Sequence, residues 1–156
     1  VTHIIPENDG IDHVNIYSQG RTELGRMLSN FYCCDVDTED GRFQSIEAYW
    51  YWLSLPEDSS RDRLRNTWGY RAKQTGKELI EQHGSIRIDN FENKIMRAIQ
   101  NKCLANYHVF DCSYNMLPFE HYYNYGGKIV DVKDKYIWLI DGIDRIRNYI
   151  VGRLKT

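Results

Sequence analysis

The sequence predicts a helix-rich α+β domain, and three observations carry that prediction. Apolar residues recur at helical spacing in separate stretches, most clearly at 46–53, 89–104 and 136–154. Short β-favouring stretches stand at His13–Tyr17 and at 127–132 (GKIVDV), and an Asp40-Gly41 pair marks a tight turn. No repeat, low-complexity tract or interdomain linker interrupts the chain, so β, loop, β-turn, helices, short β and helix follow in one run.

Residues 1–12 read as a loosely held arm, with Pro6 and Asn8-Asp9-Gly10 as turn signals, and residues 13–156 as one domain. His13 to Tyr17 alternates polar and apolar residues and reads as a short strand. Gln19 to Arg26 is polar and holds two glycines, which predicts a loop, either plain surface or close to a ligand's phosphates or ribose. Asp35, Asp37, Glu39 and Asp40 cluster around the DG hairpin and read as solvated turn residues. Ser45 is placed to cap the next helix. Ile46, Tyr49, Trp50 and Leu53 form its apolar stripe at i, i+3, i+4 and i+7. Glu47 lies one position off that stripe, beside Tyr and Trp. A carboxyl there is either an exposed first-turn acid favoured by the helix dipole or an acid at the lip of an aromatic pocket, its pKa raised by desolvation.

Beyond Pro56 the charge changes sign. Within 61–77, Arg61, Arg63, Arg65, Arg71, Lys73 and Lys77 face only Asp62, and the wider segment (59–81) reads as one helix or two short ones. Leu64, Trp68 and Ala72 repeat at i+4 as its inward side, while Arg61 and Arg65 share another face. That face suits a pyrophosphate or an acidic strand, or is simply solvated. Asp89 and Glu92 have capping-box spacing and open a helix through Leu104, with Ile95, Ile99 and Cys103 as its seam. The last helix, from Tyr136 to Leu154, buries an edge marked by Ile140, Ile143 and Ile146-Arg147.

Composition narrows the function classes. The chain has 156 residues, enough to bury a core without staples, and its net charge of −2 argues against a protein built to grip duplex DNA. Twelve Tyr and four Trp supply flat faces with a polar edge, suited to stacking on a base. The four cysteines have no CxxC spacing and the five histidines no metal-ligand spacing, which predicts free thiols in a reducing, cytoplasmic setting and no metal. No stretch has the length of a membrane span, and VTHIIPENDG lacks the features of a signal peptide.

An ordered set of short motifs resembles the NADAR family, which includes the YbiA-like N-glycosidases. The pieces are Asn15-Ile16-Tyr17, Gly25, Leu28-Ser29-Asn30-Phe31-Tyr32, Asp40-Gly41, and Ser45-Ile46-Glu47 followed by Tyr49, with Arg26-Met27 as a slight expansion after Gly25. Weaker similarity continues through Ile95-Met96, Lys102, Glu120 and Arg147, with Phe91 and Tyr125 where the family has Trp and Asn124 where it has Asp. The resemblance implies a YbiA-type α+β fold and a hydrolase that cleaves the N-glycosidic bond of a ribosylated base without a cofactor. The substrate would be an ADP-ribosylated guanine or nucleotide, modified DNA included, or a pyrimidine ribosyl phosphate. Glu47 and Glu120 would then be the catalytic carboxylates. Gly25, Ser29, Asn30, Phe31, Tyr49, Arg61, Arg65, Phe91, Asn124 and Tyr125 would bind substrate, Asn30 by hydrogen bonds and Phe31 by stacking. The departures at Phe91 and Asn124 leave an alternative, an inactive module that sequesters an ADP-ribose-like nucleotide or modified base. A third reading uses the 61–77 basic face to bind nucleic acid.

Overall fold

A computed structural model describes residues 3–156. Helices and short strands mix as expected of an α+β chain, and the residues cluster into two compact units, 1–29 with 106–156 and 30–105.

The first unit is discontinuous because its parallel strand pair needs a crossover. Strand β1 (Val14–Asn15) pairs in parallel with β4 (Phe119–Glu120), Val14 facing Phe119 and Asn15 facing Glu120. The chain leaves the unit after Ser29 and returns at Asn106. The 19–26 loop expectation is corrected: α1 spans Glu23–Leu28, and the Thr22 hydroxyl caps it by accepting from the Gly25 N–H at 2.9 Å. Gly25 obscured that helix in the sequence. It is there for clearance, since a Cβ would meet the Asn15 carbonyl oxygen at 2.2 Å. The arm is also less loose than expected. Asp9 is buried, and its carboxylate accepts from the Asn15 and Arg21 N–H groups at 3.0 and 2.9 Å; Val1 and Thr2 lie outside the described residues.

Tyr122–Tyr125 (β5) and Lys128–Asp131 (β6) form an antiparallel hairpin closed by Gly126 and Gly127, both at positive φ as a two-residue hairpin turn demands. Helix α5 (Ile137–Leu154) buries Leu139, Ile140, Ile143, Ile150 and Val151, one turn beyond the expected edge, of which Ile146 is only half-buried. Arg147 is buried with them. Its guanidinium lies 3.9 Å from the centre of the Phe119 ring, donates to the Leu117 carbonyl at 2.5 Å and pairs with Asp144.

In the second unit, β2 (Val36–Thr38) and β3 (Gly41–Phe43) form the DG hairpin, with Gly41 at positive φ. Asp35, Asp37 and Glu39 are exposed, as expected of solvated turn residues, and make surface ion pairs, while Asp40 is half-buried. Arg42 pairs with Asp35 and Asp37, and Lys94 with Glu39 and Asp40. Helix α2 (Ile46–Leu53) starts as expected, the Ser45 hydroxyl accepting from the Ala48 N–H at 3.0 Å. It buries Ile46, Ala48, Tyr49, Trp52 and Leu53, each large apolar side chain contributing about 1.5–3 kcal/mol. Phe43 packs between Tyr49 and Trp52, at 4.8 and 5.6 Å between ring centres.

The basic segment resolves into a 3-10 turn, Arg61–Leu64, and α3 (Gly69–His83). Leu64 and Ala72 point inward, but Trp68 is 50% exposed, because it stands ahead of α3 as the cap residue and not within its periodicity. Helix α4 (Phe91–Ala105) buries Ile95, Ile99 and Cys103 as its seam, together with Phe91 and Lys102. All four cysteines are free thiols; burial pushes that of Cys103 up to about 12. Burial likewise lowers the pKa of Lys102, against the pull of Cys34 and Cys103. Among the described residues no helix is long and apolar enough to cross a membrane.

Candidate active site

The second unit brings together the one candidate acid whose chemistry is set by its surroundings. Glu47 occupies the first turn of α2, fixed there by the Ser45 cap and by its own backbone N–H, which donates to the Asn30 carbonyl at 2.9 Å. The next carbonyl, that of Phe31, accepts from the Gly69 N–H at 3.1 Å. The Asn30-Phe31 segment is thereby tied to the heads of both α2 and α3. Tyr51 lies one turn beyond Glu47 on the same side of α2 and packs on Gly76 of α3 so closely that a Cβ would meet its ring at 2.2 Å. That contact holds α2 against α3 and brings Lys73 and Lys77 within electrostatic reach of Glu47.

The carboxyl itself is half-buried, and among the described residues no hydrogen bond or ion pair reaches it. Burial pushes its pKa up from 4.5 to about 7, and the two lysines pull against that shift without cancelling it. An acid poised near neutrality can both take and give a proton at working pH. Lys73 and Lys77 were legible only as part of a basic run; their i, i+4 spacing is the signal that sets them on one side of a helix.

The remaining expected residues divide among other tasks. Tyr49 is buried, and its hydroxyl donates to Asp40 at 2.7 Å; burial first, then that carboxylate, raises its pKa. Burial alone would raise Asp40 as well, but the Lys94 ammonium and the Tyr49 hydroxyl hold it below the usual carboxylate range. Arg61 lies flat on Trp52, 3.5 Å from the ring centre, and donates to the Trp52 and Leu55 carbonyls. Arg65 pairs with Asp62 at 2.9 Å and covers the Phe43 ring at 4.6 Å. Both guanidiniums, expected as a phosphate-binding face, are engaged in packing. Phe91, expected as a stacking platform, is buried against Trp50 with Arg87 over its ring at 4.1 Å.

Gly25, Ser29, Glu120, Asn124 and Tyr125 belong to the first unit. Gly25 and Ser29 are buried in α1 and at its C-cap. Glu120 is half-buried and ion-paired with Lys133 at 3.6 Å. The Asn124 side chain accepts from the Gly127 N–H at 2.9 Å and so belongs to the hairpin turn, while Tyr125 is exposed. A cleft of about 160 Å³ in this unit is lined by Asp9, Asn15, Tyr17, Arg21, Tyr122 and Asn124. Its Asn15 amide is spent on the Tyr122 backbone, at 3.0 Å in both directions.

Among the described residues no group of three His, Cys, Asp or Glu side chains could hold a metal ion. No family model matches the chain, and neither a curated protein nor a solved structure does.

Proposed function

We propose that the chain is an N-glycosidase-like hydrolase of the NADAR type, acting on a ribosylated base with Glu47 as its working carboxyl. The observation that supports this is the Glu47 carboxyl itself: half-buried, without a hydrogen-bond partner among the described residues, and pushed up to about 7 at the head of an aromatic helix. Cleavage breaks the bond between C1′ of the ribose and a base nitrogen, leaving positive charge on the ring. Ionised Glu47 stabilises that charge and takes a proton from the attacking water, whose oxygen bonds to C1′; the departing nitrogen ends protonated. Glu120 takes no step in this mechanism. The substrate class is an ADP-ribosylated guanine or nucleotide, or a pyrimidine ribosyl phosphate. Incubation with a panel of such compounds, followed by chromatography of released base, tests it. Release that depends on Glu47 supports the proposal, and no release from any member counts against it.

A second reading has its own observation. Phe91 is buried and the Asn124 side chain closes a turn, so neither residue stands ready for the part that the resemblance gives it. A non-catalytic module that retains an ADP-ribose-like nucleotide fits those two positions. Saturable binding of ADP-ribose by calorimetry, with no base released from any substrate, would favour it.

A further inference from the structure

We propose that the α3 face carrying Tyr70, Lys73 and Lys77, with Trp68 at its head, docks a single-stranded nucleic acid. This goes beyond the glycosidase activity; Lys73 and Lys77 also act on Glu47, whereas Trp68 and Tyr70 have no part in that site.

Tyr70, Lys73 and Lys77 fall at i, i+3 and i+7, on one side of the helix opposite the buried Ala72 and Leu79. Trp68 is 50% and Tyr70 64% exposed, two large rings side by side in sequence that the fold leaves uncovered. The charge around them is lopsided. From Arg61 to the end of α3 at His83 there are six Lys and Arg against Asp62, Glu78 and Glu81, in a chain whose net charge is −2. Asp62 is spent on Arg65 and the Trp52 indole. Arg61 and Arg65 are consumed in packing on Trp52 and Phe43. What remains for a partner is Arg63, Arg71, Lys73 and Lys77, none of which makes an ion pair among the described residues.

Uncovered rings beside cations that make no ion pair among the described residues match a polymer that alternates flat apolar faces with negative charges. A single strand offers that, bases stacking on the rings while phosphates meet the cations. A duplex hides its base faces and calls for a larger basic surface. An acidic polypeptide satisfies the charges but leaves the rings without stacking partners.

The test is fluorescence anisotropy of the full chain with a labelled oligo-dT or oligo-U, titrated at several salt concentrations. Saturable binding is expected, weakening with salt at a log–log slope of roughly −2 to −3 for three or four phosphate contacts. Trp68→Ala and Tyr70→Ala should each weaken it roughly five- to a hundred-fold. Lys73→Ala and Lys77→Ala should each flatten the slope by about 0.7. Saturable binding of either oligomer, with or without a preference between them, supports the proposal. Absence of saturable binding would overturn it, as would ring variants that bind like wild type, equal affinity for a duplex, or full competition by a poly-glutamate of equal length. Because Lys73 and Lys77 also pull on Glu47, the independent readout is the ring variants: Trp68→Ala and Tyr70→Ala should weaken oligomer binding while leaving release of base from a small ribosylated compound unchanged.

Discussion

The backbone N–H of Glu47 donates to the carbonyl of Asn30 at 2.9 Å, while the carboxyl of the same residue has no such bond among the described residues. The main chain is held and the acid is left poised. Glu47→Gln keeps the volume and the helix but removes the charge. Base release should fall roughly a hundred- to ten-thousand-fold, the usual cost of losing a positioned acid or base. In wild type the rate should climb with pH through about 7 as the carboxyl ionises, and Glu47→Gln should lack that limb. Single-turnover assays from pH 5 to 9 measure both.

The same residue links folding to pH. Burial raises its folded pKa from 4.5 to about 7, so the folded state favours the protonated form. The stability this confers is fully present below pH 4.5 and is lost as pH rises through 7. Relative to wild type, Glu47→Gln should therefore gain stability between pH 5 and 8, on the order of 1–3 kcal/mol. Urea unfolding at the two pH values checks the sign, and a gain that shrinks with pH would contradict the burial of this acid.

Several elements were legible because a local rule sufficed. The Ser45 cap and its stripe gave α2, the DG pair gave its hairpin, and isoleucine spacing gave the seams of α4 and α5. The misses came from contacts between residues far apart in the chain. Gly25 made α1 look like a loop because its purpose, clearance for the Asn15 carbonyl, lies ten residues back. Trp68 counted as an inward residue until the start of α3 at Gly69 placed it outside the periodicity. Strand β5 carries Tyr and Asn on both faces and shows no alternation to read. For Glu47, the aromatic helix head was visible, but not the lysines that oppose its shift, which reach it through helix packing.

Arg61 illustrates the difference between charge seen in sequence and charge seen in place. On sequence alone, reversing Arg61 and Arg65 should leave stability unchanged, as for most surface charges. The guanidinium of Arg61 instead lies 3.5 Å from the centre of the Trp52 ring and donates to two carbonyls. Arg61→Glu should cost about 1–3 kcal/mol, since it removes the stacking contact and leaves those carbonyls unmet. Arg63→Glu, at an exposed position nearby, should stay within about 0.5 kcal/mol. Thermal unfolding of the pair separates packing from charge.

Two helical glycines make opposite predictions from the same substitution. Alanine is the better helix former, so Gly→Ala in an exposed helix gains about 0.5–1 kcal/mol. Gly152, near the end of α5, has open space where a Cβ would sit, and Gly152→Ala should show that gain. Gly76, in α3, faces the Tyr51 ring, and a Cβ there would meet ring carbons at 2.2 and 2.4 Å. Relief requires α2 and α3 to separate or Tyr51 to leave its place, at a typical cost of about 1–3 kcal/mol that exceeds the helix gain. Gly76→Ala should therefore lower the melting temperature while Gly152→Ala raises it. The separation should also disturb Glu47, one turn from Tyr51, by opening it to water and returning its pKa toward 4.5. Titration of the Glu47 side chain by NMR in Gly76→Ala measures that second effect. An unchanged titration beside a lowered melting temperature would show that the Tyr51–Gly76 contact supports the fold without shaping the acid.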